Sequence, residues 1–407
     1  MRKETVLALA ILLLIAGSLN QTKAMLESSF VIGAYGSVYH DPDQNSVSLV
    51  VALDGSGNFT DIQDAIDAVP PDTFGYITVK AGTYTLNPQY HYPYKTIILK
   101  SNINLRGEGI DQTVIKSFPD KQPVGGNIRA NAMTGGTIEN VLVEDLTVIQ
   151  NGSPDNQGYG GIRLGTCTNV TVRNIKITDV TGEALSFSGT AKVENCIIDR
   201  VWTGICIRAG NGSIIRGNRV YNTGGDAIFP QPIGGTVNDC WIEGNYLENI
   251  TDTGIDITGS TTIDPITGAK ISQYRHNNIT AIGNTLINGS IRVSGADNIH
   301  LLNNRIFRGY VGIDPGALHP INVEVRGNWI EDFGLVGKAS EHGIGGNGYY
   351  VVIDSNTIFS YRPEALWAVN TWGSWNVTNN ALLVPGKSGN AAANSRGRVQ
   401  GNFAYVP

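Results

Sequence analysis

The stretch Val323-Glu324-Val325-Arg326-Gly327-Asn328-Trp329-Ile330 recurs, with changes, along most of the chain. In each copy, alternating apolar residues lead to an asparagine, and apolar residues follow it. An alternation of period two is typical of a β-strand, so each copy predicts one strand before the asparagine and one after it. The asparagines that mark the copies are Asn174, Asn195, Asn218, Asn245, Asn284, Asn304, Asn328, Asn356, Asn380 and Asn402.

Consecutive marker asparagines are 20 to 28 residues apart, except for one step of 39 residues. No helical stretch lies between them to provide a crossover, so a solenoid with one coil per repeat satisfies the spacing best. Stacked coils place equivalent positions about 4.8 Å apart. We therefore expect the asparagine at each bend to hydrogen-bond to the asparagines above and below it.

These repeats resemble the right-handed parallel β-helix of the pectate lyase-like group, which carries such an asparagine ladder between its second and third sheets. The resemblance covers nearly the whole mature chain. It implies an all-β fold, a single-stranded right-handed parallel β-helix. Lyases, glycosidases, esterases, epimerases and adhesins all use this architecture, so the resemblance does not imply one activity.

The first coils predict a short N-terminal capping helix. Thr60 is the expected N-cap, and the apolar face of the helix would cover the open end of the solenoid. The run from Ala52 to Tyr84 is similar to the opening of pectin methylesterases. The paired glutamines and the two catalytic aspartates of that family are not found downstream, so the similarity implies the fold and not the activity.

The N-terminus has the pattern of a secretory signal peptide. Arg2 and Lys3 precede an apolar run from Val6 to Ala16, and polar residues close the segment at Ala24. A retained membrane anchor is the alternative, but the run is short for a bilayer span. The predicted boundaries are a signal peptide at 1–24, a spacer at 25–47, the β-helix at 48–384 and a loose C-terminal tail at 385–407, with loops at 151–159, 259–273 and 333–341.

Composition limits the class of partner. The 407 residues include 50 glycines, 16% are charged, and the net charge is −6. A solenoid grows in one dimension, so this length requires only one domain. The negative charge argues against a nucleic-acid partner. We expect a secreted, cell-surface or periplasmic monomer that acts on a polysaccharide and has no membrane attachment once the signal is removed. The four cysteines could form two disulfides or fill coil interiors.

Aligning the coils by their asparagines reveals a third strand family, such as Gly254-Ile255-Asp256-Ile257. The second and fourth residues are apolar and must point inward, so the first and third point outward. The first is small in all nine coils, which predicts an open shelf for a long polymer. In pectate lyase-like proteins this sheet carries the active groove. The outward third position reads Arg163, Ser186, Cys206, Phe229, Asp256, Arg292, Asp314, Gly345 and Trp367.

This alignment places Asp256, Arg292 and Asp314 in one line, and we take them with His342 as the candidate catalytic residues. For β-elimination of a uronic acid, Arg292 would neutralise the substrate carboxylate or, as in pectate lyases, act as the base. His342 titrates near neutral pH and would transfer protons. No cofactor is certain, but Asp256 and Asp314 could hold Ca²⁺. The candidate substrate-binding residues are Arg163, Arg208, Asp226, Glu364 and Trp367.

Pectate- or alginate-type lyase activity is our leading hypothesis, and three alternatives stay open. Asp256 and Asp314, roughly 9 to 10 Å apart by coil spacing, could serve an inverting glycosidase. Arg292 between them argues against this, because a cation holds both carboxylates ionised. Asp314-Pro315 matches half of the Asp-Pro-His-Glu signature of mannuronan C5-epimerases, but Gly316-Ala317 replace the other half. A non-catalytic binding protein, with the three residues as an exposed charge ladder, is the remaining alternative.

Overall fold

A computed structural model of the chain describes residues 45–86, 96–117, 127–130, 136–150, 160–231, 235–263, 270–314, 318–334, 341–373 and 375–404. The predicted signal peptide at 1–24, most of the predicted spacer at 25–47 and the predicted loop at 151–159 lie outside these residues. In the described part of the chain, no helix is both long and apolar enough to cross a membrane.

The described chain is a parallel β-helix, as the sequence predicted. Each coil contributes one strand to each of three sheets, and the strands of these sheets pair in parallel with the equivalent strands of the next coil. In one pair of coils, Val325 pairs with Ile353 before the bend and Ile330 pairs with Ile358 after it. We call the sheet before the marker asparagine sheet A, the sheet after it sheet B, and the remaining sheet C.

The strands within single sheets have the following bounds. Sheet A contains Ser46–Val51, Phe74–Val79, Ile103–Gly107, Ile214–Arg216, Val237–Glu243, His276–Ile282, Ala296–Leu302, Ile321–Arg326, Val352–Asp354, Asn376–Thr378 and Val399–Gln400. Sheet B contains Gly82–Thr85, Thr113–Lys116, Arg219–Thr223, Tyr246–Ile250, Thr285–Ile287, Arg305–Phe307, Trp329–Glu331, Thr357–Phe359, Ala381–Val384 and Phe403–Ala404. Sheet C contains Ile97–Leu99, Ile128–Ala130, Ile228–Pro230, Ile255–Thr258, Ile291–Ser294, Val311–Ile313, His342–Gly346, Trp367–Thr371 and Ala393–Asn394.

Three long strands turn from one sheet into the next, Ile138–Ile149, Ile162–Glu194 and Ile197–Asn211. The 39-residue step contains an antiparallel hairpin, formed by Ser260–Ile263 and Lys270–Tyr274, within the predicted loop at 259–273. Lys387–Ser388 adds an antiparallel strand beside Ala381–Val384.

Inward-facing side chains of all three sheets form one continuous apolar core. Its members are mostly isoleucine, valine and leucine, and each such side chain contributes roughly 1.5 to 3 kcal/mol when fully buried. Trp375, Phe187 and Phe333 are its largest fully buried side chains. The four cysteines are buried and free, so they form no disulfide.

Eight of the ten marker asparagines form a ladder between sheets A and B, and all but the last of them, Asn402, are buried. The Nδ2 group of Asn304 donates to Oδ1 of Asn328 at 3.0 Å, and that of Asn328 donates to Asn356 at 2.9 Å. The same Oδ1 of Asn328 also accepts from the backbone N–H of Asn304 at 2.9 Å, and its Nδ2 donates to the carbonyl of Leu301 at 2.8 Å. The ladder comprises Asn218, Asn245, Asn284, Asn304, Asn328, Asn356, Asn380 and Asn402.

Asn174 and Asn195 do not belong to this ladder. The strand register makes Cys196 equivalent to Asn218, so Asn195 occupies the preceding bend position, which Gly217 fills in the next coil. Asn174, Asn195 and Gly217 have φ values of 52°, 54° and 64°. Asparagine tolerates this left-handed conformation better than most residues, so an asparagine in the sequence marks either position.

The capping helix spans Ile62–Ala68, with Asp61 rather than Thr60 as the N-cap because the Asp61 side chain accepts from the backbone of Gln63. Gln63 also accepts from the N–H of Ile98 at 2.7 Å and donates to its carbonyl at 3.3 Å. Its amide thus satisfies the exposed edge of Ile97–Leu99, the first strand of sheet C.

The prediction of a loose tail at 385–407 is not matched by the described residues. A 3₁₀ helix at Gly389–Ala392 and strands at Ala393–Asn394, Val399–Gln400 and Phe403–Ala404 continue the stacking. Asn402 donates to Oδ1 of Asn390 at 2.8 Å. Glycine and asparagine mark turns between short strands here, a pattern that the sequence alone does not separate from a tail.

We expect Asn328→Ala to destabilise the solenoid by about 2 to 4 kcal/mol, because it leaves buried donors and acceptors without partners. Asn376→Ala, which removes an exposed asparagine side chain two coils away, is the matched control and should change stability by less than about 0.5 kcal/mol. Urea unfolding followed by circular dichroism measures both. Equal midpoints for the two variants would contradict a structural role for the ladder.

Candidate active site

The outward face of sheet C carries the candidate site. Asp256 pairs with Arg292, Arg292 pairs with Gly312, Gly312 with Gly345, and Gly345 with Asn370. These five residues therefore form one column along the stacking direction, with each member about 4.8 Å from the next. On the other side of Asp256, the column continues with Phe229, Cys206 and Ser186.

The predicted line of Asp256, Arg292 and Asp314 is wrong at its third member. Val311 and Ile313 fill the two inward positions of this coil, so Gly312 faces outward beside Arg292. Asp314 lies two residues further along, and its Oδ2 is 3.4 Å from Nε of Arg292. Its side chain is 46% exposed. The alternation of apolar residues in this coil fits two registers, with either Val311 and Ile313 or Ile313 and Pro315 pointing inward. The prediction used the second, and the structure has the first.

The same correction applies to Trp367. Val369 is the inward residue that pairs with Ile344, whereas Trp367 pairs with His342 at the start of the strand. The Trp367 ring packs against Nζ of Lys387, which lies 3.4 Å from the ring centroid. Leu366, predicted to point inward, is 45% exposed.

Two buried carboxyl groups belong to adjacent coils of this face. Asp226, in the turn before its strand, is 8% exposed, and Asp256 is 6% exposed. Asp226 accepts a hydrogen bond from the backbone N–H of Thr253 at 3.2 Å, and Asp256 accepts one from the hydroxyl of Thr258. Neither carboxylate has an ion pair within the described residues, which is costly for a buried charge.

Burial raises the pKa of both groups. For Asp226 the pKa is raised to about 7, chiefly by burial and further by the carboxylates of Asp256 and Asp252. For Asp256 the pKa is raised to about 6 by burial, against the opposing effects of the Thr258 hydrogen bond and of Arg292. Between these two values Asp226 is mainly protonated while Asp256 is mainly ionised.

Tyr310 belongs to the same cluster and was missed by the sequence analysis. Its ring lies over Gly312, where an added Cβ would meet Cε2 of the ring at 3.1 Å. Burial raises the pKa of its phenol, with a further contribution from Asp314 and an opposing one from Arg292. In the correct frame Tyr310 occupies the first outward position of its strand, so the shelf is not open at this coil.

His342 lies over Gly345 in the next coil, in the same way that Tyr310 lies over Gly312. Its Nε2 accepts from the Nδ2 group of Asn370 at 2.8 Å. Burial lowers its pKa, so the ring is neutral at pH 7. His342 is two coils from Arg292, about 10 Å along the stacking direction.

The remaining predicted binding residues lie at different distances from this cluster. Arg208, two coils before Asp256, donates to Glu183 and, at 3.1 Å, to Gln231. Arg163 lies four coils before Asp256 and pairs in register with Arg129 of the preceding coil. The exposed Glu364 lies in a turn four coils beyond Asp256. Four coils correspond to about 19 Å, so neither side chain joins the central cluster.

The described residues do not fit the predicted calcium ion. They contain no group of three or more histidine, cysteine, aspartate or glutamate side chains with the geometry of a metal site. Asp314 is ion-paired with Arg292, and Asp256 accepts the Thr258 hydroxyl. Calcium requires six to eight oxygen ligands, which this arrangement does not offer.

Comparison with known proteins agrees with the fold. A right handed beta helix region model matches residues 125–267, and a pectinesterase model matches residues 48–178. The A-module of mannuronan C-5 epimerase AlgE4 from Azotobacter vinelandii superposes with a TM-score of 0.54 at 16% identity, covering 85% of this chain and 94% of that one. The chain is a right-handed parallel β-helix protein, similar over its first coils to pectinesterases.

Sequence relatives match only part of the chain. Probable pectinesterase/pectinesterase inhibitor 17 of Arabidopsis thaliana is 33% identical over 118 residues, which is 29% of this chain and 21% of that protein. Mannuronan C5-epimerase AlgE1 of Azotobacter vinelandii is 30% identical over 131 residues, which is 30% of this chain and 9% of that protein. The pectinesterase model ends at residue 178, before the coil that carries Asp226.

The raised pKa of Asp226 predicts a stability change with pH. Its unfolded pKa is near 3.8 and its folded pKa is about 7, so the folded state binds the proton more tightly. The stabilisation is present below pH 4 and is lost as the pH rises to 7, by up to about 4 kcal/mol.

Asp226→Asn should therefore be more stable than the wild type at pH 8 and about equally stable at pH 4, as measured by urea unfolding at both values. Asp64→Asn, at an exposed helix position, is the control and should show no such difference. A loss of stability at pH 8 for Asp226→Asn would contradict the prediction, because it would show that the ionised carboxylate does not destabilise the folded state.

Proposed function

We propose that the protein is an exported polysaccharide-cleaving enzyme in which Asp226 and Asp256 act as general acid and general base. The observation that carries this proposal is the pair of almost fully buried carboxyl groups, without ion pairs among the described residues, on the outward face of sheet C. Glycoside hydrolysis usually pairs one carboxyl group whose raised pKa keeps it protonated with a second group that is ionised at the working pH. Similarity to a pectinesterase and to a mannuronan epimerase supports a carbohydrate substrate.

In this mechanism protonated Asp226 donates its proton to the glycosidic oxygen as the bond to the anomeric carbon breaks. Ionised Asp256 takes a proton from the water that attacks the same carbon. Asp226 is bound to the amide of Thr253, which is three residues before Asp256 and at most about 11 Å from it along the chain. The proposal requires the two carboxyl groups to be about 6.5 to 9.5 Å apart, the separation that inversion needs.

Arg292 no longer argues against hydrolysis. It lowers the pKa of Asp256, but burial has the larger effect. Arg292 is 39% exposed, and its closest carboxylate is that of Asp314, so solvent and Asp314 both weaken its effect on Asp256. Arg292 pairs with Asp314 and also acts on the carboxyl groups of Asp226 and Asp256, so three acids share this arginine. We therefore propose a neutral or weakly charged sugar at the point of cleavage.

β-Elimination of a uronic acid is the second candidate, and one observation favours it. The Tyr310 ring lies next to Arg292 across Gly312, so a carboxylate bound by Arg292 would place its neighbouring carbon near a phenol. His342, neutral at pH 7, is the alternative base two coils away. A lyase would yield an unsaturated product that absorbs near 235 nm, whereas hydrolysis yields reducing ends without that absorbance.

We expect hydrolysis to follow a narrow bell-shaped pH profile with its maximum between about pH 6 and 7. Activity should fall below pH 6 as Asp256 is protonated, and above pH 7 as Asp226 ionises. Reducing-end release from dextran, methyl-esterified pectin and polygalacturonate measures it. A rate that rises steadily to pH 9 would contradict the assignment.

Substitution separates this pair from the one that the sequence predicted. Asp226→Asn and Asp256→Asn should each lower kcat by about 10² to 10⁴-fold, whereas Asp314→Asn should lower it by less than about tenfold. The Asp314 variant is the matched control because its carboxyl group is near Arg292 but largely in solvent. A loss of activity in Asp314→Asn and not in Asp226→Asn would restore the sequence-based pair.

A further inference from the structure

Three exposed aromatic side chains lie on two adjacent coils, after their strands of sheet C and before those of sheet A. Tyr349, Tyr350 and Trp372 are 55%, 78% and 60% exposed. We call these three residues the aromatic corner. Large apolar groups at such exposure are costly in water, and a patch of them usually marks a binding surface.

The corner continues the face that carries the candidate site. The backbone N–H groups of Asp314, Asn347 and Trp372 each donate to a carbonyl of the preceding coil, those of Val293, Ile313 and Gly346. This repeated bond places Asp314, Asn347 and Trp372 in one row at the end of sheet C. Trp372 is then two coils from Asp314, about 10 Å along the stacking direction.

Close backbone packing supports the exposed rings. A Cβ added to Gly373 would lie 2.9 Å from the carbonyl oxygen of Gly348, and one added to Gly348 would lie 3.2 Å from that of Pro320. A larger residue would clash at Gly373 and would be crowded at Gly348. In the aromatic corner, glycines therefore occupy the turns at Gly348 and Gly373, and the aromatic residues lie next to them in the chain.

Tyr350 has a backbone conformation that disfavours its own side chain. Its φ is 56°, a left-handed value that elsewhere in the described chain is held almost entirely by glycine, asparagine and aspartate. A bulky residue is disfavoured in this conformation. An exposed tyrosine in an unfavourable backbone conformation does not stabilise the fold, so a role in binding explains Tyr350 better.

We propose that the aromatic corner binds sugar rings of the same polysaccharide that is cleaved at Asp226 and Asp256, about 19 Å away along sheet C. This inference rests on the proposed function for its ligand. Tyrosine and tryptophan offer an apolar ring face with a polar edge, which matches the apolar face and hydroxyl rim of a sugar. Between the two places, the rings of Tyr310 and His342 lie over the paired glycines Gly312 and Gly345, so further rings line the path.

Affinity electrophoresis tests the corner without requiring turnover. The wild type should be retarded in gels that contain dextran, methyl-esterified pectin or polygalacturonate, and Trp372→Ala and Tyr350→Gly should each weaken that retardation about tenfold. Tyr350→Gly also removes the left-handed strain, so its stability should equal or exceed that of the wild type. Lost retardation with retained stability excludes unfolding as the cause.

Trp241→Ala is the matched control, because Trp241 is a 46% exposed tryptophan on sheet A, and this variant should migrate like the wild type. Unchanged retardation in both corner variants, or no retardation of the wild type by any of the polymers, would overturn the inference. Retardation that depends on the corner in a protein that cleaves none of the polymers would keep the binding surface and reject the proposed hydrolysis.

Discussion

The buried asparagine ladder fixes each coil against the next, because each amide must meet the amide of its neighbour to be satisfied. Asn304, Asn328 and Asn356 repeat the same bonds at 2.8 to 3.0 Å. Slipping one coil by a single residue would leave buried polar groups unpaired and turn its apolar side chains towards water. The positions of outward side chains on sheet C therefore follow from residues on the opposite side of the coil.

That fixed register explains how two acids come to be buried on an outward face. Asp226 precedes its strand and Asp256 lies within the next one, and the Thr253 amide and Thr258 hydroxyl hold them in place. Burial destabilises the ionised form of each carboxyl group by more than the partly exposed Arg292 stabilises it. The pKa of both groups is therefore raised in spite of Arg292. The unfavourable burial is compatible with stability because the apolar core extends through every coil.

The periodicity of the sequence predicted the architecture. Each repeat has an alternating apolar strand and an asparagine, and this pattern specifies a stacked fold whichever apolar residues fill it. It did not predict the site correctly. The stretch from Tyr310 to Pro315 has apolar residues at Val311, Ile313 and Pro315, so the inward pair can be either Val311 and Ile313 or Ile313 and Pro315. The burial of Asp226 depends on neighbouring coils and leaves no local signal. Asn174 looks like a ladder residue because left-handed bends and ladder positions favour the same amino acid.

The central claim is that coil stacking holds two uncompensated carboxyl groups out of water, with different proton affinities. A carboxyl-carbon NMR titration of the aspartates, assigned by comparing the wild type with the Asp226→Asn and Asp256→Asn proteins, measures this directly. The account predicts midpoints near pH 7 for Asp226 and near pH 6 for Asp256. Midpoints for both groups near the ordinary value of about 4 would contradict it.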